Sequence, residues 1–155
     1  MYFCSMVRKE KKKAGEILVY RADTENHLDL VYADGGIFAG FPSPAQDYLE
    51  LSIDLNTELI QNPAATFYGR VVGNSLEEAG VTEGDILIID KSLKPEDGDM
   101  CVCFLDGEFT LKFIRHGEDE IWLIPANKAY EPIRVTADNN FMIWGVVTYT
   151  IKRRK

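Results

Sequence analysis

Beyond Pro63 the chain is divided into short segments that are rich in β-branched and aromatic residues and are separated by turn-forming residues. Segments of this length and composition are typical of strands. The sequence therefore predicts a mainly β fold. The predicted strands cover residues 66–72, 86–90, 100–105, 108–115, 121–124, 133–136 and 141–151.

Asp106-Gly107 lies between two of these strands and predicts a tight hairpin, because Asp-Gly suits the backbone of two-residue β-turns. The second strand of the hairpin then carries Lys112. Since side chains alternate along a strand, Lys112 shares a face with Thr110 and Ile114. The opposite face carries Phe109, Leu111 and Phe113.

The strand predicted at 141–151 is apolar on both faces. Two-sided apolarity predicts burial between layers or at an oligomer interface. Strict alternation places Phe141, Ile143, Val147, Tyr149 and Ile151 on one face and Met142, Trp144 and Val146 on the other.

The upstream part of the chain is more varied. Short apolar runs at 16–21 and 28–32 predict two further strands. Residues 45–61 predict one or two short helical turns, with Asp54 as the cap of a segment at 55–60.

The balance of charge limits the partners of the protein. Lys and Arg number 17 against 25 Asp and Glu, which gives a net charge of −8. Binding to DNA phosphates depends on neutralisation by Lys and Arg, so direct DNA binding is not expected. No helix-turn-helix pattern is present, and the basic segments 8–13 and 152–155 are interpreted as solvated tails.

The three cysteines do not suggest a disulfide framework, because their number is odd. Cys101 and Cys103 share one face of an apolar strand, which favours core packing over a metal site. No run approaches transmembrane length, and the apolar stretch at 1–7 is too short for a secretory signal. A reducing cytoplasm, without a membrane partner, is the predicted location.

Ser75 lies in the turn-forming sequence Gly73-Asn74-Ser75-Leu76, directly after an apolar strand. A serine at such a corner can present its hydroxyl, with backbone N–H groups of the same turn available to an oxyanion. Lys112 is the candidate base, since neither His27 nor His116 lies in a triad pattern. The alternative is that Gly-Asn-Ser is an ordinary turn and that the lysine faces solvent.

A lysine with an ordinary pKa near 10.4 is neutral in only about one molecule in a few thousand at pH 7. Burial must lower the pKa by roughly 3 units, a differential of about 4 kcal/mol, before Lys112 becomes an effective base.

Ala39-Gly40 precedes Phe41-Pro42-Ser43-Pro44 and offers a bond with little steric hindrance in an extended segment. Such a segment suits proteolysis. Taken alone, the same residues also fit an ordinary interdomain linker.

Taken together, these motifs resemble the Ser-Lys autopeptidase family that contains UmuD, LexA and phage repressors. The spacing is 35 residues from Gly40 to Ser75 and 37 from Ser75 to Lys112. The resemblance extends from about Gly40 to Val147. Further matching motifs are Gly84-Asp85, Gly98-Asp99, Asp106-Gly107-Glu108-Phe109-Thr110, Ile124-Pro125-Ala126-Asn127 and Gly145-Val146-Val147.

The resemblance implies a compact domain of short antiparallel strands at residues 40–155 and an N-terminal arm at 1–39 that self-cleavage removes. It implies a serine endopeptidase without metal or organic cofactor, in which Ser75 attacks the Ala39-Gly40 bond and Lys112 is the base. It further implies a homodimer, stimulation of cleavage by a RecA filament on single-stranded DNA, and a product that serves an UmuC-like Y-family translesion polymerase in the SOS response.

Two residues depart from the family pattern. Asn74 stands where an acidic residue is usual, and Leu76 stands where methionine is usual. Leucine roughly conserves the volume of methionine and is expected to pack acceptably. The departures keep open a second reading, a non-catalytic dimeric module that binds the polymerase. A third, a signal-peptidase-like enzyme, would be expected to carry a membrane anchor.

Overall fold

A computed structural model describes residues 17–21, 29–33, 50–73 and 76–155. Within these residues the chain forms ten strands and one short α-helix, α1, at Leu55–Leu59. The mainly β fold is confirmed. The strands are β1 Ile17–Arg21, β2 Asp29–Ala33, β3 Glu50–Asp54, β4 Thr66–Val71, β5 Ile86–Asp90, β6 Met100–Leu105, β7 Glu108–His116, β8 Ile121–Ile124, β9 Ile133–Val135 and β10 Phe141–Ile151.

Eight of the strands form one sheet in the order β1-β4-β5-β10-β6-β7-β8-β9, and every neighbouring pair in it is antiparallel. β2 and β3 form a separate antiparallel pair. The prediction of short antiparallel strands is therefore confirmed. The boundary between an arm at 1–39 and a domain at 40–155 falls outside the described residues and remains a prediction.

The local turns follow from the residues that form them. Asp106 and Gly107 both have positive φ, 48° and 92°, which is the backbone of the tight hairpin predicted between β6 and β7. Asp54 caps α1, because its carboxylate accepts a hydrogen bond of 3.0 Å from the backbone N–H of Asn56. Both predictions are confirmed.

The predicted bounds of the strands beyond Pro63 differ from the observed bounds by one residue at most. The prediction for 45–61 was incomplete, because the structure forms strand β3 at Glu50–Asp54 ahead of α1. β3 is specified by its pairing with β2, in which Leu30 lies opposite Ile53. A pairing partner that distant in sequence leaves no local signal.

The core consists of two apolar clusters of buried side chains. The first cluster gathers Val71, Leu76, Val81, Leu87, Ile89, Val102, Leu111 and Ala126. The second cluster gathers Cys101, Cys103, Ile114, Leu123 and Val146. Alternate residues of β6 and β7 enter different clusters, so each of these strands has two buried faces.

The face assignment predicted for β10 was wrong for Val146 and Val147, which lie between two shifts of register. The pairing of β10 with β6 shifts register between Ile143 and Gly145, which marks a β-bulge. An extra residue in one strand reverses the faces of the residues that follow it. Val146 consequently joins Ile143 in the second cluster, and Val147 packs with Trp144 against the first.

Asp85 ties the C-terminal end of β10 to the loop that follows residues 74–75. Its carboxylate accepts hydrogen bonds from the Lys152 Nζ at 2.6 Å and from the Thr82 N–H at 2.9 Å. Burial by itself raises the pKa of Asp85, but the hydrogen bonds from Lys152 and Thr82 outweigh it and hold the pKa below its ordinary value.

Candidate active site

Lys112 lies on β7, an interior strand of the eight-stranded sheet. On one side β7 pairs with β6, where Lys112 faces Cys101. The pairing with β8 on the other side begins one residue later, where Phe113 faces Ile124. The Lys112 side chain points to the same side of the sheet as Thr110 and Ile114, as alternation predicted.

The Lys112 amine has been partly removed from water. The residue is half-buried, and its neighbours on β6, Cys101 and Cys103, are completely buried. Burial lowers the pKa of Lys112 below its ordinary 10.5, because the charged ammonium loses solvation, and a weaker interaction with Cys103 opposes the shift. The direction is the one that a lysine base requires.

Two oxygen atoms of β7 fix the position of the amine. The Lys112 Nζ donates to the Thr110 Oγ1 at 2.6 Å and to the Leu111 carbonyl oxygen at 3.1 Å. The side chain therefore folds back along its own strand. Thr110 was placed on the face of Lys112 from the sequence, but its role as a partner of the amine was missed. The sequence feature that could have indicated this contact is the i, i+2 spacing of a hydroxyl and an amine on one face of a strand.

Ser75 and Asn74 lie outside the described residues, and the pairing of Ser75 with Lys112 remains a prediction. The chain is anchored on both sides of them. Before them, the Val71 N–H donates to the Asp85 carbonyl oxygen at 2.9 Å, and Gly73 has a φ of 89° that favours glycine. After them, Leu76 is buried, which confirms that leucine packs acceptably at this position.

Leu76 also organises the turn that follows it. Its carbonyl oxygen accepts hydrogen bonds from the N–H of Ala79 at 3.0 Å and of Val81 at 3.3 Å, around a 3₁₀ turn at Glu77–Ala79. Leu76 belongs to the same apolar cluster as Leu111, the residue that precedes Lys112. The segment bearing the candidate nucleophile and the strand bearing the candidate base are thus packed into one core.

The remaining predicted site residues, Ala39 and Gly40, also lie outside the described residues. Cys101 and Cys103 are free thiols within the core, so their predicted core packing is confirmed. In the parts of the chain that the structure describes, no three His, Cys, Asp or Glu side chains come together as a metal site. No helix among the described residues combines the length and apolar character needed to cross a membrane.

The fold and the desolvated lysine define a class of protein: a mainly antiparallel β domain with a candidate general base on an interior strand. Comparison with known families matches residues 29–148 to the Peptidase S24-like family. The chain belongs to this family, and the resemblance stated from its sequence is confirmed.

Several curated relatives extend over most of the chain. Protein ImpA of Escherichia coli is 42% identical over 123 residues, which cover 76% of this chain and 79% of ImpA. Protein SamA of Salmonella typhimurium is 43% identical over 117 residues, which cover 76% of this chain and 81% of SamA. LexA repressor 2 of Pseudomonas syringae is 39% identical over 84 residues, covering 54% of this chain and 42% of the repressor.

Proposed function

We propose that the protein is a self-cleaving serine endopeptidase that uses Ser75 and Lys112 as a Ser-Lys dyad and cuts its own chain between Ala39 and Gly40. The observation that carries the proposal is that Lys112 is half-buried and that burial lowers the pKa of its amine. Membership of the Peptidase S24-like family supports it.

In this mechanism the neutral amine of Lys112 accepts the proton of the Ser75 hydroxyl as the serine oxygen attacks the carbonyl carbon of Ala39. Backbone N–H groups of the Ser75 turn stabilise the resulting oxyanion. The Lys112 ammonium then donates its proton to the departing amine of Gly40. Water hydrolyses the ester between Ser75 and Ala39, again with Lys112 as the base, and restores the hydroxyl.

The product, residues 40–155, serves as a dimeric regulatory subunit of a Y-family translesion polymerase in the SOS response. A RecA filament on single-stranded DNA stimulates the cleavage, and the reaction takes place in the cytoplasm. The relatives ImpA and SamA support a role of this kind, since each matches 76% of this chain.

The experiment is the pH dependence of self-cleavage in the purified chain without any partner. The rate is expected to rise about tenfold per pH unit below the pKa of Lys112, because the neutral fraction of the amine grows by that factor. Lys112→Arg is expected to remain uncut, since guanidinium stays protonated. A Lys112→Arg chain that cuts itself at the wild-type rate would contradict the dyad.

A wild-type chain that stays intact at every pH and with the RecA filament would favour the second reading, a non-catalytic module for dimerisation and polymerase contact. Asn74, which stands where an acidic residue is usual, would then be the sequence feature that marks the loss of cleavage.

A further inference from the structure

The predicted cleavage bond lies, in the sequence, between two strands that pair with each other. β2 ends at Ala33, β3 begins at Glu50, and the two strands form an antiparallel pair. The bond between Ala39 and Gly40 belongs to the connection at 34–49. A cut in this connection breaks the covalent link between β2 and β3, but it does not break the hydrogen bonds by which the two strands pair.

Another strand formed by residues 1–39 belongs to the eight-stranded sheet. β1 pairs with β4 along its whole length, from Ile17 opposite Val71 to Arg21 opposite Phe67. On its other side β4 pairs with β5, so β1 covers the edge that β4 would otherwise present. Residues 1–39 are therefore joined to the rest of the chain by two strand ladders, and the predicted cut lies in neither of them.

β1 also lies against β7, the strand that carries Lys112. The two strands that β1 contacts, β4 and β7, contribute Val71 and Leu111 to the first apolar cluster. Both side chains are almost completely buried, at 4% and 2% exposed. Departure of β1 would remove a strand from this side of the cluster, and the exposure of apolar surface to water costs free energy in proportion to its area.

The edge of β4 suits an extended segment of chain. An unpaired strand edge presents a row of N–H and C=O groups that are costly to leave without partners. Addition of an extended segment satisfies these groups through main-chain hydrogen bonds. Residues 17–21 have the sequence Ile-Leu-Val-Tyr-Arg, whose β-branched and aromatic residues favour a strand. The chain thus supplies a suitable strand of its own.

We propose that the edge of β4 is a strand-addition site whose occupant is the N-terminal fragment of this chain, and that residues 1–39 stay bound to residues 40–155 after the bond between Ala39 and Gly40 is cut. Cleavage and release are then separate steps, and the fragment leaves only when β1 is displaced from β4. The position of the cut rests on the proposed function, whereas the strand pairing that holds the fragment does not.

The test cuts the full chain without relying on its own activity. A recognition sequence for a site-specific protease is inserted between Ala39 and Gly40 in a chain that carries Ser75→Ala, and mass spectrometry under denaturing conditions verifies that the cut is complete. The cut chain is then passed through a size-exclusion column at micromolar concentration. Residues 1–39 are expected to elute together with residues 40–155. Elution of the two pieces at separate volumes would overturn the proposal.

Paired proline substitutions test the contribution of the β4 edge. In an antiparallel ladder one of two adjacent residues directs its N–H towards the neighbouring strand, so Leu18→Pro with Val19→Pro removes a ladder hydrogen bond. This double variant is expected to lose co-elution of the cut pieces. Thr24→Pro with Glu25→Pro, placed between β1 and β2, is the matched control and is expected to retain it. Equal retention or equal loss in the two double variants would show that pairing of β1 with β4 does not hold the fragment.

A synthetic peptide of residues 1–39 makes the same comparison if the proline chain does not fold. The peptide is added in excess to the cut chain, whose own fragment carries a fluorescent label. The unaltered peptide is expected to displace the labelled fragment, and a peptide with Leu18→Pro and Val19→Pro is expected to leave it bound. Equal displacement by the two peptides would contradict the proposal. A wild-type chain that never cleaves itself would refute the proposed function alone, because the inserted site still reports whether the fragment stays bound.

Discussion

The hydroxyl of Thr110 accepts a hydrogen bond from the amine of Lys112, the proposed base. Its oxygen lies 2.6 Å from the Lys112 Nζ. Replacing Thr110 by valine keeps the shape of the side chain and removes this acceptor. The ammonium form then loses a partner, so the pKa of Lys112 falls and half-maximal self-cleavage moves to lower pH. The maximal rate is expected to fall by roughly 3- to 30-fold, because the amine is less well oriented.

Thr110→Ser is the matched control, since it retains the hydroxyl and should stay close to the wild-type profile. The measurement is the rate of self-cleavage as a function of pH for the three chains. A valine variant whose midpoint and maximal rate equal those of the wild type would show that the hydroxyl does not position the base.

At the level of single residues, the sequence predicted which side chains share a strand face, but it did not predict which of them form hydrogen bonds. Alternation along a short strand placed Lys112 among apolar neighbours and Thr110 on its face, because these relations are local. The direction in which the long lysine side chain bends is decided by acceptors in three dimensions. For that reason the hydrogen bond from Lys112 to Thr110 could not be predicted.

Among the elements, the junction between β10 and the loop at 81–85 depends on the buried carboxylate of Asp85. Its pKa is lowered, so its contribution to stability is present above its ordinary value of 3.8 and is lost as pH falls through the folded value. Asp85→Asn is expected to lower the free energy of unfolding by about 1–3 kcal/mol at pH 7. The difference from the wild type should shrink below about pH 4.

Urea unfolding at pH 7 and at acid pH measures this difference. The exposed Asp138 provides a control, because Asp138→Asn should leave the stability nearly unchanged at both pH values. If Asp85→Asn lowers the free energy of unfolding by the same amount at acid pH as at pH 7, the charge of Asp85 does not stabilise the junction.

The sequence predicted the bounds of the strands but not their irregularities. The strands beyond Pro63 were predicted nearly to the residue, because Asp-Gly and other turn sequences separate them. The bulge in β10 was not predicted, although Gly145 offers a signal. A Cβ there would lie 2.6 Å from the Ile89 Cγ2, and glycine within a strand often marks a bulge or a close approach of neighbouring groups.

For the whole molecule, exposed apolar side chains predict association with a second copy. Leu55 and Ile151 are 46% and 43% exposed and line an apolar groove of about 530 Å³ together with Ile86 and Ile88. Contiguous exposed apolar surface of this kind is typical of interaction sites. We expect a dimer at micromolar concentration in sedimentation velocity, and a shift towards monomer in Ile151→Asp.

Met142→Asp is the control, because Met142 is 52% exposed at the other end of β10 and does not line the groove. A wild-type chain that sediments only as a monomer would contradict the predicted dimer. If Ile151→Asp and Met142→Asp dissociate the dimer equally, the groove is not the dimer interface.

The candidate site is a property of the whole molecule, since Ser75 and Lys112 are 37 residues apart. Each residue type was identified from its local sequence, but no local pattern brings them together. The linkage of their segments through Leu76 and Leu111 in one apolar cluster emerges only from the folded sheet.

The most direct test of the proposed function is the intact mass of the wild-type and Ser75→Ala chains after incubation at about pH 10, where a larger fraction of lysine amines is neutral than at pH 7. The wild type is expected to give two fragments, residues 1–39 and 40–155, the second beginning at Gly40. Ser75→Ala is expected to remain a single intact species, because the nucleophile is missing. Self-cleavage by Ser75 would be contradicted if both chains yielded the same fragments at the same rate, or if the wild type stayed uncut at this pH and also with a RecA filament on single-stranded DNA.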